Sequence, residues 1–110
     1  MIRGIIIEPN EAPREITFEE GYKTLQELVG GYIEMPYFYD DVDVVINEEG
    51  KLIGLEPNLP VYYNGDLIDV IYGTAIIISH NDEGDTVSLT DTLFKKYMDE
   101  LQDGCIYIWR

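Results

Sequence analysis

The segment GTAIIISH, Gly73 to His80, constrains the fold of this chain more than any other stretch. Its apolar residues form a short, continuous run bounded by glycine and by polar residues, which is a pattern typical of a fully buried strand. Such strands lie inside a sheet, because both of their faces must be covered. We therefore predict that this segment is the central strand of a β-sheet.

Shorter runs of strand-forming residues, separated by turn residues, predict the other strands. They are Ile2 to Glu8, Arg14 to Phe18, Tyr32 to Tyr39, Val42 to Asn47, Lys51 to Gly54, a short strand in VSLT, and the terminal CIYIWR. Pro36 cannot donate a ladder hydrogen bond, so its strand is expected at a sheet edge or with a bulge. The segment LEPNLPVYYNGD contains two prolines and is expected to be mostly loop, whereas Leu67 to Tyr72 fits either a short helix or a strand.

Two segments have apolar residues at helical spacing. The first, at about 19 to 30, opens on Glu19 and Glu20; the second, 91 to 102, is capped by Thr90 or Asp91. The predicted buried stripes are Tyr22, Leu25, Leu28 and Val29 in the first helix, and Leu93, Phe94, Tyr97, Met98 and Leu101 in the second. The predicted fold is α+β, a single domain over residues 1–110 with a mixed, mostly antiparallel sheet and two helices packed on it.

Composition limits the partners that the chain can have. Seven basic and 22 acidic side chains give a formal net charge of −15, which repels nucleic acid and anionic membranes and attracts basic surfaces. The single cysteine, Cys105, cannot form an internal disulfide and is expected to be a buried thiol in a reducing cytosol. No apolar run approaches the length of a membrane span. We expect a soluble, intracellular protein that does not bind nucleic acid directly.

The glycine pair Gly30-Gly31 has two possible roles, a phosphate-binding loop or a helix cap. Phosphate-binding glycines stand between a strand and the start of a helix, where N–H groups point at the anion. This pair follows the last residue of a predicted helix instead, which is the usual place of a left-handed cap. The sequence therefore predicts a cap.

Candidates for catalysis and metal binding are few. His80 and Cys105 are the only residues of their types and no nucleophile motif surrounds either, so we predict that the protein is not an enzyme. The NDEGD segment, with Asp82, Glu83 and Asp85, lacks the spacing of a calcium loop and is expected to be a plain turn. No cofactor and no metal are expected.

Carboxylates recur in clusters at predicted turns and helix ends. The candidate partner-binding residues are Asp40, Asp41, Asp43, Glu48, Glu49, Asp82, Glu83 and Asp85. A dense row of carboxylates can occupy a basic groove that is built for the phosphates of nucleic acid. High charge also keeps a protein soluble, and composition alone favours that simpler explanation.

Five stretches together resemble a known family: MIRGIIIEPNEAPREI, LQELVGGYIEM, VVINEEGKLIGLEPN, YGTAIIIS and DEGDTVSLTD. They are similar to a small domain of unknown function from phages and mobile elements of Gram-positive bacteria, the family numbered 3846. The resemblance covers residues 1 to about 92, implies a phage or mobile-element origin, and assigns no catalytic residues.

Small acidic proteins of such origin often block host nucleases. The resemblance therefore favours an anti-CRISPR type of inhibitor that acts in the cytoplasm of the host bacterium. As a monomer or weak dimer, it would occupy the basic groove of a Cas9-type effector in place of guide RNA or DNA.

Two other interpretations remain open. Tyr62 and Tyr63, near Pro60, could form a protein interface of a phage accessory protein, because aromatic residues are enriched at interfaces. Alternatively, a pocket near Gly31 to Glu34 and Asn58 could hold a small ligand.

Overall fold

The computed structural model describes residues 1–38 and 41–108. The elements in chain order are β1 (Ile2–Ile7), β2 (Arg14–Phe18), α1 (Tyr22–Val29), β3 (Ile33–Phe38), β4 (Val42–Asn47), β5 (Pro57–Tyr63), β6 (Asp66–Tyr72), β7 (Ala75–His80), β8 (Thr86–Val87), α2 (Asp91–Leu101) and β9 (Ile106–Ile108). Tyr39, Asp40 and Trp109, which the sequence patterns placed in or beside strands, lie outside the described residues. The α+β prediction is confirmed.

The larger of the two sheets is antiparallel and has the strand order β2-β1-β7-β4-β3, with β8 paired to the end of β7. The central position predicted for GTAIIISH is confirmed, since β7 pairs with β1 on one side and β4 on the other. β3 lies at the sheet edge, and its register shifts between Glu34 and Tyr37. Both features agree with the edge position or bulge that was predicted from Pro36.

Each face of this sheet is covered by a different layer. The core beneath α1 contains Ile2, Ile6, Phe18, Leu25, Val29, Ile33, Val45, Ile76 and Ile78. The larger core on the other face joins Ile5, Ile7, Val42, Val44 and Ile77 to Leu59, Val61, Ile71 and Ile106 of the small sheet and to Tyr97 and Leu101 of α2. Alternate residues of β7 enter opposite cores, because successive side chains of a strand point to opposite faces.

The second sheet corrects the prediction of a single sheet. β5 lies between β6, to which it is antiparallel, and β9, to which it is parallel. The segment expected to be mostly loop therefore forms β5, and the ambiguous segment Leu67 to Tyr72 is part of strand β6. Proline cannot donate a ladder hydrogen bond. Pro57 and Pro60 both precede Val61, where pairing with β9 begins, so they leave the ladder between β5 and β9 intact.

The predicted strand Lys51 to Gly54 is wrong. This stretch forms consecutive turns in which Ile53 N donates to Glu49 O at 3.0 Å and Leu55 N donates to Gly50 O at 3.0 Å. Local bonds of this kind leave the backbone unavailable for a ladder. The short strand expected in VSLT is confined to its start, since β8 covers Thr86–Val87.

The helices match the predictions at their well-capped ends. Thr90 caps α2 by accepting a hydrogen bond from Leu93 N at 3.2 Å. α1 begins later than predicted, at Tyr22, so Glu19 and Glu20 precede it and no acidic residue lies in its first turn. Tyr22 is exposed rather than part of the buried stripe, because the buried face of this short helix is formed by Leu25 and Val29.

Candidate functional site

The predicted partner-binding carboxylates are divided between the two ends of the large sheet. Pairing of Val42 with Ser79 brings the start of β4 beside the end of β7, so Asp41 and Asp43 lie at the same end as the loop 81–85. Glu48 and Glu49 follow the other end of β4, and the five residue steps from Asp43 to Glu48 span about 16 Å along an extended strand. We call Asp41, Asp43, Asp82, Glu83 and Asp85 the acidic end. Asp40 is outside the described residues.

The loop after β7 is a turn organised by one asparagine. Asn81 Oδ1 accepts hydrogen bonds from Glu83 N at 3.0 Å and from Asp85 N at 2.9 Å. Gly84 adopts a left-handed conformation with φ of 84°. These contacts fix the backbone of the loop and do not involve the exposed carboxylates of Asp82 and Glu83. The prediction of a turn is confirmed.

Asp41, just before β4, and Asp43, within it, both have internal partners. Asp41 Oδ1 accepts a hydrogen bond from Tyr97 OH at 3.0 Å, which links the start of β4 to α2. Asp43 Oδ2 lies 3.2 Å from His80 Nδ1, and both side chains are partly buried. Asp41 and Asp43 therefore connect elements of the fold, and the loop residues are the carboxylates that a partner can reach.

Topology adds two further acids to this end of the sheet. β2 ends at Phe18, opposite Ile2 at the start of β1, and the exposed Glu19 and Glu20 follow it. β2 and β4 are three strand spacings apart in the sheet, or about 14 Å. No local pattern joins residues 19–20 to residues 81–85, so the sequence alone does not place these two groups at the same end of a sheet.

The basic groups near this end are few, and one of them is already paired. Arg3 donates to Glu15 Oε2 at 2.7 Å and to Asp91 Oδ1 at 2.6 Å, and these carboxylates raise the pKa of its guanidinium, Asp91 most strongly. Lys23 is exposed in the first turn of α1, and Lys96 Nζ lies 5.1 Å from the centre of the Tyr97 ring. None of these three bases pairs with a carboxylate of the loop 81–85, so the loop keeps its negative charge.

The opposite end of the sheet contains a cleft of about 370 Å³ beside the end of α1. It is lined by Gln26, Gly30, Gly31, Tyr32, Asn47, Glu49 and Ile53. The buried Asn47 donates to Val29 O at 3.1 Å and accepts from Glu49 N at 2.8 Å, and it thereby joins the end of α1 to the turn after β4. The LVGGYIEM and INEEGK segments meet here.

The glycine pair is a helix cap, as predicted. Gly30 is left-handed, with φ of 82°, and its N–H donates to Gln26 O at 2.8 Å. The N–H of Gly31 donates to the same carbonyl at 3.0 Å. Because both N–H groups are used by the cap, neither can hold a phosphate.

The remaining candidate residues, Asn58, Tyr62, Tyr63 and Cys105, lie outside the lining of the cleft and outside the acidic end. Asn58 Nδ2 donates to Ile7 O at 2.9 Å and to Gly73 O at 2.8 Å, so both of its protons are used inside the fold. The Tyr62 ring packs 6.0 Å from that of Tyr107, and Tyr63 is exposed at the end of β5. Cys105 is buried, as predicted.

Within residues 1–38 and 41–108, no group of three or more His, Cys, Asp or Glu side chains is arranged to hold a metal ion. None of the helices formed by these residues is long and apolar enough to cross a membrane.

Comparison with protein families matches residues 2–102 to a domain of unknown function, DUF3846. The matched range spans both sheets apart from β9, both helices and both ends described above. Comparisons with curated proteins and with solved structures give no match.

Proposed function

The chain belongs to the DUF3846 family, and on that premise we propose that it is a phage or mobile-element protein that inhibits a host defence nuclease. It binds the basic groove in which the nuclease holds nucleic acid and thereby excludes the guide RNA or the DNA. A type II CRISPR effector in the cytoplasm of the host bacterium is the first partner to test, because its heteroduplex channel is basic and recognises backbone rather than sequence.

The observation that carries this proposal is the exposed acidic loop. Among the described residues, Asp82 and Glu83 make no side-chain hydrogen bond or ion pair, and the Asp85 carboxylate accepts a hydrogen bond from Asn81 Nδ2 at 3.4 Å. Glu19 and Glu20 lie at the same end of the sheet. A groove that neutralises phosphates, spaced about 1.7 Å apart along the duplex axis, presents cations densely enough to meet such a surface.

The C-terminal ends of both helices carry further acidic residues. α1 has Glu27 in its last turn and α2 has Asp99 and Glu100, and neither helix has a basic residue in its last turn. The partial negative charge of a helix C-terminus repels carboxylates, typically by about 0.3–1 kcal/mol each. These acids add to the net charge of −15 that attracts a basic partner at a distance, but they lie outside the acidic end and are not part of the proposed contact.

A binding experiment with the purified nuclease tests the proposal. Tagged protein is mixed with the effector at low salt, with and without guide RNA, and DNA cleavage is measured in parallel. We expect a complex that forms with the RNA-free enzyme, weakens as salt rises, and prevents RNA or DNA from binding. Absence of a complex at low salt would exclude this partner, and a complex that leaves RNA and DNA binding intact would exclude the mimicry.

A second candidate function, a protein interface of an accessory protein, is supported by a different surface. Leu67 and Ile68 are 58% and 50% exposed and lie near Tyr63 on the β5–β6 hairpin. Exposed apolar groups of this size are typical of protein contacts when they are contiguous. If this surface is the interface, alanine at Tyr62, Tyr63 and Leu67 should abolish partner binding, and the substitutions at Asp82, Glu83 and Asp85 described below should leave it intact. If the protein is a nuclease inhibitor, the acidic substitutions should weaken binding and the alanine substitutions should not.

A further inference from the structure

The cleft beside the end of α1 offers a carboxylate and an amide oxygen, and no basic side chain is among the residues that line it. The side chains of Gln26, Tyr32 and Glu49 line it, and none of them makes a hydrogen bond or ion pair with another described residue. Lys51, the base nearest to this cleft along the chain, is paired with Asp69. The N–H groups of Gly30 and Gly31 are occupied by the helix cap.

Two apolar surfaces flank these acceptors. The ring of Tyr32 is 65% exposed and the side chain of Ile53 is 58% exposed, although both line a concave surface. A tyrosine face attracts a cation, and a guanidinium can stack flat on it. An aliphatic side chain beside it can cover the methylene stem of a long basic residue.

The end of α1 adds to the negative potential of the cleft. The helix C-terminus carries a partial negative charge, and the last turn of α1 contains Glu27 and no base. Anions are therefore repelled from the cleft. A neutral apolar ligand would desolvate the Glu49 carboxylate without replacing its hydrogen bonds, which is unfavourable.

We propose that this cleft binds an arginine side chain from the surface of a partner protein. Its guanidinium stacks on Tyr32, donates two hydrogen bonds to the Glu49 carboxylate and one to the Gln26 side-chain oxygen, while its stem lies on Ile53. Arginine suits the site better than lysine because a planar fork can stack and bind a carboxylate in a bidentate manner. The cleft is at the opposite end of the sheet from the acidic end, so this contact is distinct from the proposed nuclease contact and can exist without it.

The test is an NMR titration of the full chain with blocked arginine amide, blocked lysine amide and inorganic phosphate as separate probes. We expect saturable shifts of the backbone amides of Gly30, Gly31, Tyr32 and Glu49 with arginine, at least about threefold weaker binding of lysine, and none of phosphate. Equal binding of arginine and lysine, shifts spread over all acidic loops, or binding of phosphate at this cleft would overturn the proposal.

Variants and a peptide make the test specific. Tyr32→Ala and Glu49→Gln change exposed side chains, and each should weaken arginine binding at least about tenfold. Glu83→Gln, at the acidic end, is the matched control and should leave it unchanged. A neutral peptide with one central arginine should bind at least as tightly as the blocked amino acid; if only the free amino acid binds, a partner's side chain is not the ligand.

Discussion

Two asparagines join elements of this fold that are distant in sequence. Asn47 bonds the end of α1 and the turn after β4, and Asn58 bonds the end of β1 through Ile7 O and the turn between β6 and β7 through Gly73 O. Gly31 is required beside the first of these, because a Cβ there would lie 2.9 Å from Asn47 Nδ2. Buried amides of this kind stabilise a structure mainly because their loss leaves buried polar groups unpaired.

Asn47→Ala should therefore lower the free energy of unfolding by about 1–3 kcal/mol, since Val29 O and Glu49 N lose their partner. Denaturant unfolding at neutral pH measures this. Gln102→Ala is the control, because Gln102 is exposed and its side-chain bond to Met98 O is on the surface; its effect should stay within about 0.5 kcal/mol. Equal effects of the two substitutions would show that Asn47 does not join these elements.

At the scale of elements, both helices end in a way that electrostatics disfavours. Glu27→Lys reverses a charge in the last turn of α1 and should raise the unfolding free energy by about 0.3–1 kcal/mol at low salt. Glu11→Lys is the control: it makes the same charge change in a loop, so it measures how much a smaller net charge alone changes the stability. The difference between the two variants, measured by thermal unfolding, should decline as salt rises. If both stabilise equally, the helix end has no special role.

Glu100 of α2 gives a pH-dependent prediction. Partial burial raises the pKa of its carboxyl, although Oε1 accepts a hydrogen bond from Tyr107 N that acts in the opposite direction. Between the unfolded and folded pKa values the folded state binds more protons, so stability falls as pH rises through that window. Glu100→Gln should raise the Tm slightly at pH 7, and this gain should vanish below about pH 4.

The control is the exposed neighbour Asp99→Asn, which relieves the same net charge. Thermal unfolding of both variants from acid to neutral pH separates burial of Glu100 from net charge. A Tm gain for Glu100→Gln that persists unchanged in acid would contradict the prediction.

Local patterns predicted the elements whose signals are local. The apolar run of β7, the Thr90 cap and the glycine cap of α1 required only nearby residues. β5 was missed because its strand character depends on pairing with β6 and β9, which outweighs the turn signals of its prolines. The partition of the acidic residues depends on the pairing of β4 with β7, and no spacing within either strand reveals it. The internal roles of Asp41 and Asn47 were hidden for the same reason.

At the scale of the whole molecule, a formal charge of −15 is carried by a body of 30 × 29 × 25 Å. Mutual repulsion in so small a volume destabilises the compact state, and salt screens it over a Debye length of about 10 Å at 0.1 M. Thermal unfolding should therefore show a Tm that rises with sodium chloride from low to moderate salt. A Tm that is independent of salt would mean that the acids do not repel one another in the folded protein.

The most direct measurement of the central claim is the salt dependence of the dissociation constant for the nuclease, taken for three proteins. One is the natural chain, the second carries Asp82→Asn, Glu83→Gln and Asp85→Asn at the acidic end, and the third carries Glu11→Gln, Glu27→Gln and Glu48→Gln at the opposite end. Each variant loses three negative charges. The third protein includes Glu48→Gln because Glu48 is a predicted partner-binding residue that lies outside the acidic end.

If each desolvated charge pair contributes about 1.5 kcal/mol, the acidic-end variant should bind at least about 100-fold more weakly at low salt and show a flatter salt dependence. The opposite-end variant should bind almost as the natural chain does. Equal weakening of both variants, or of neither, would contradict a nuclease contact at the acidic end.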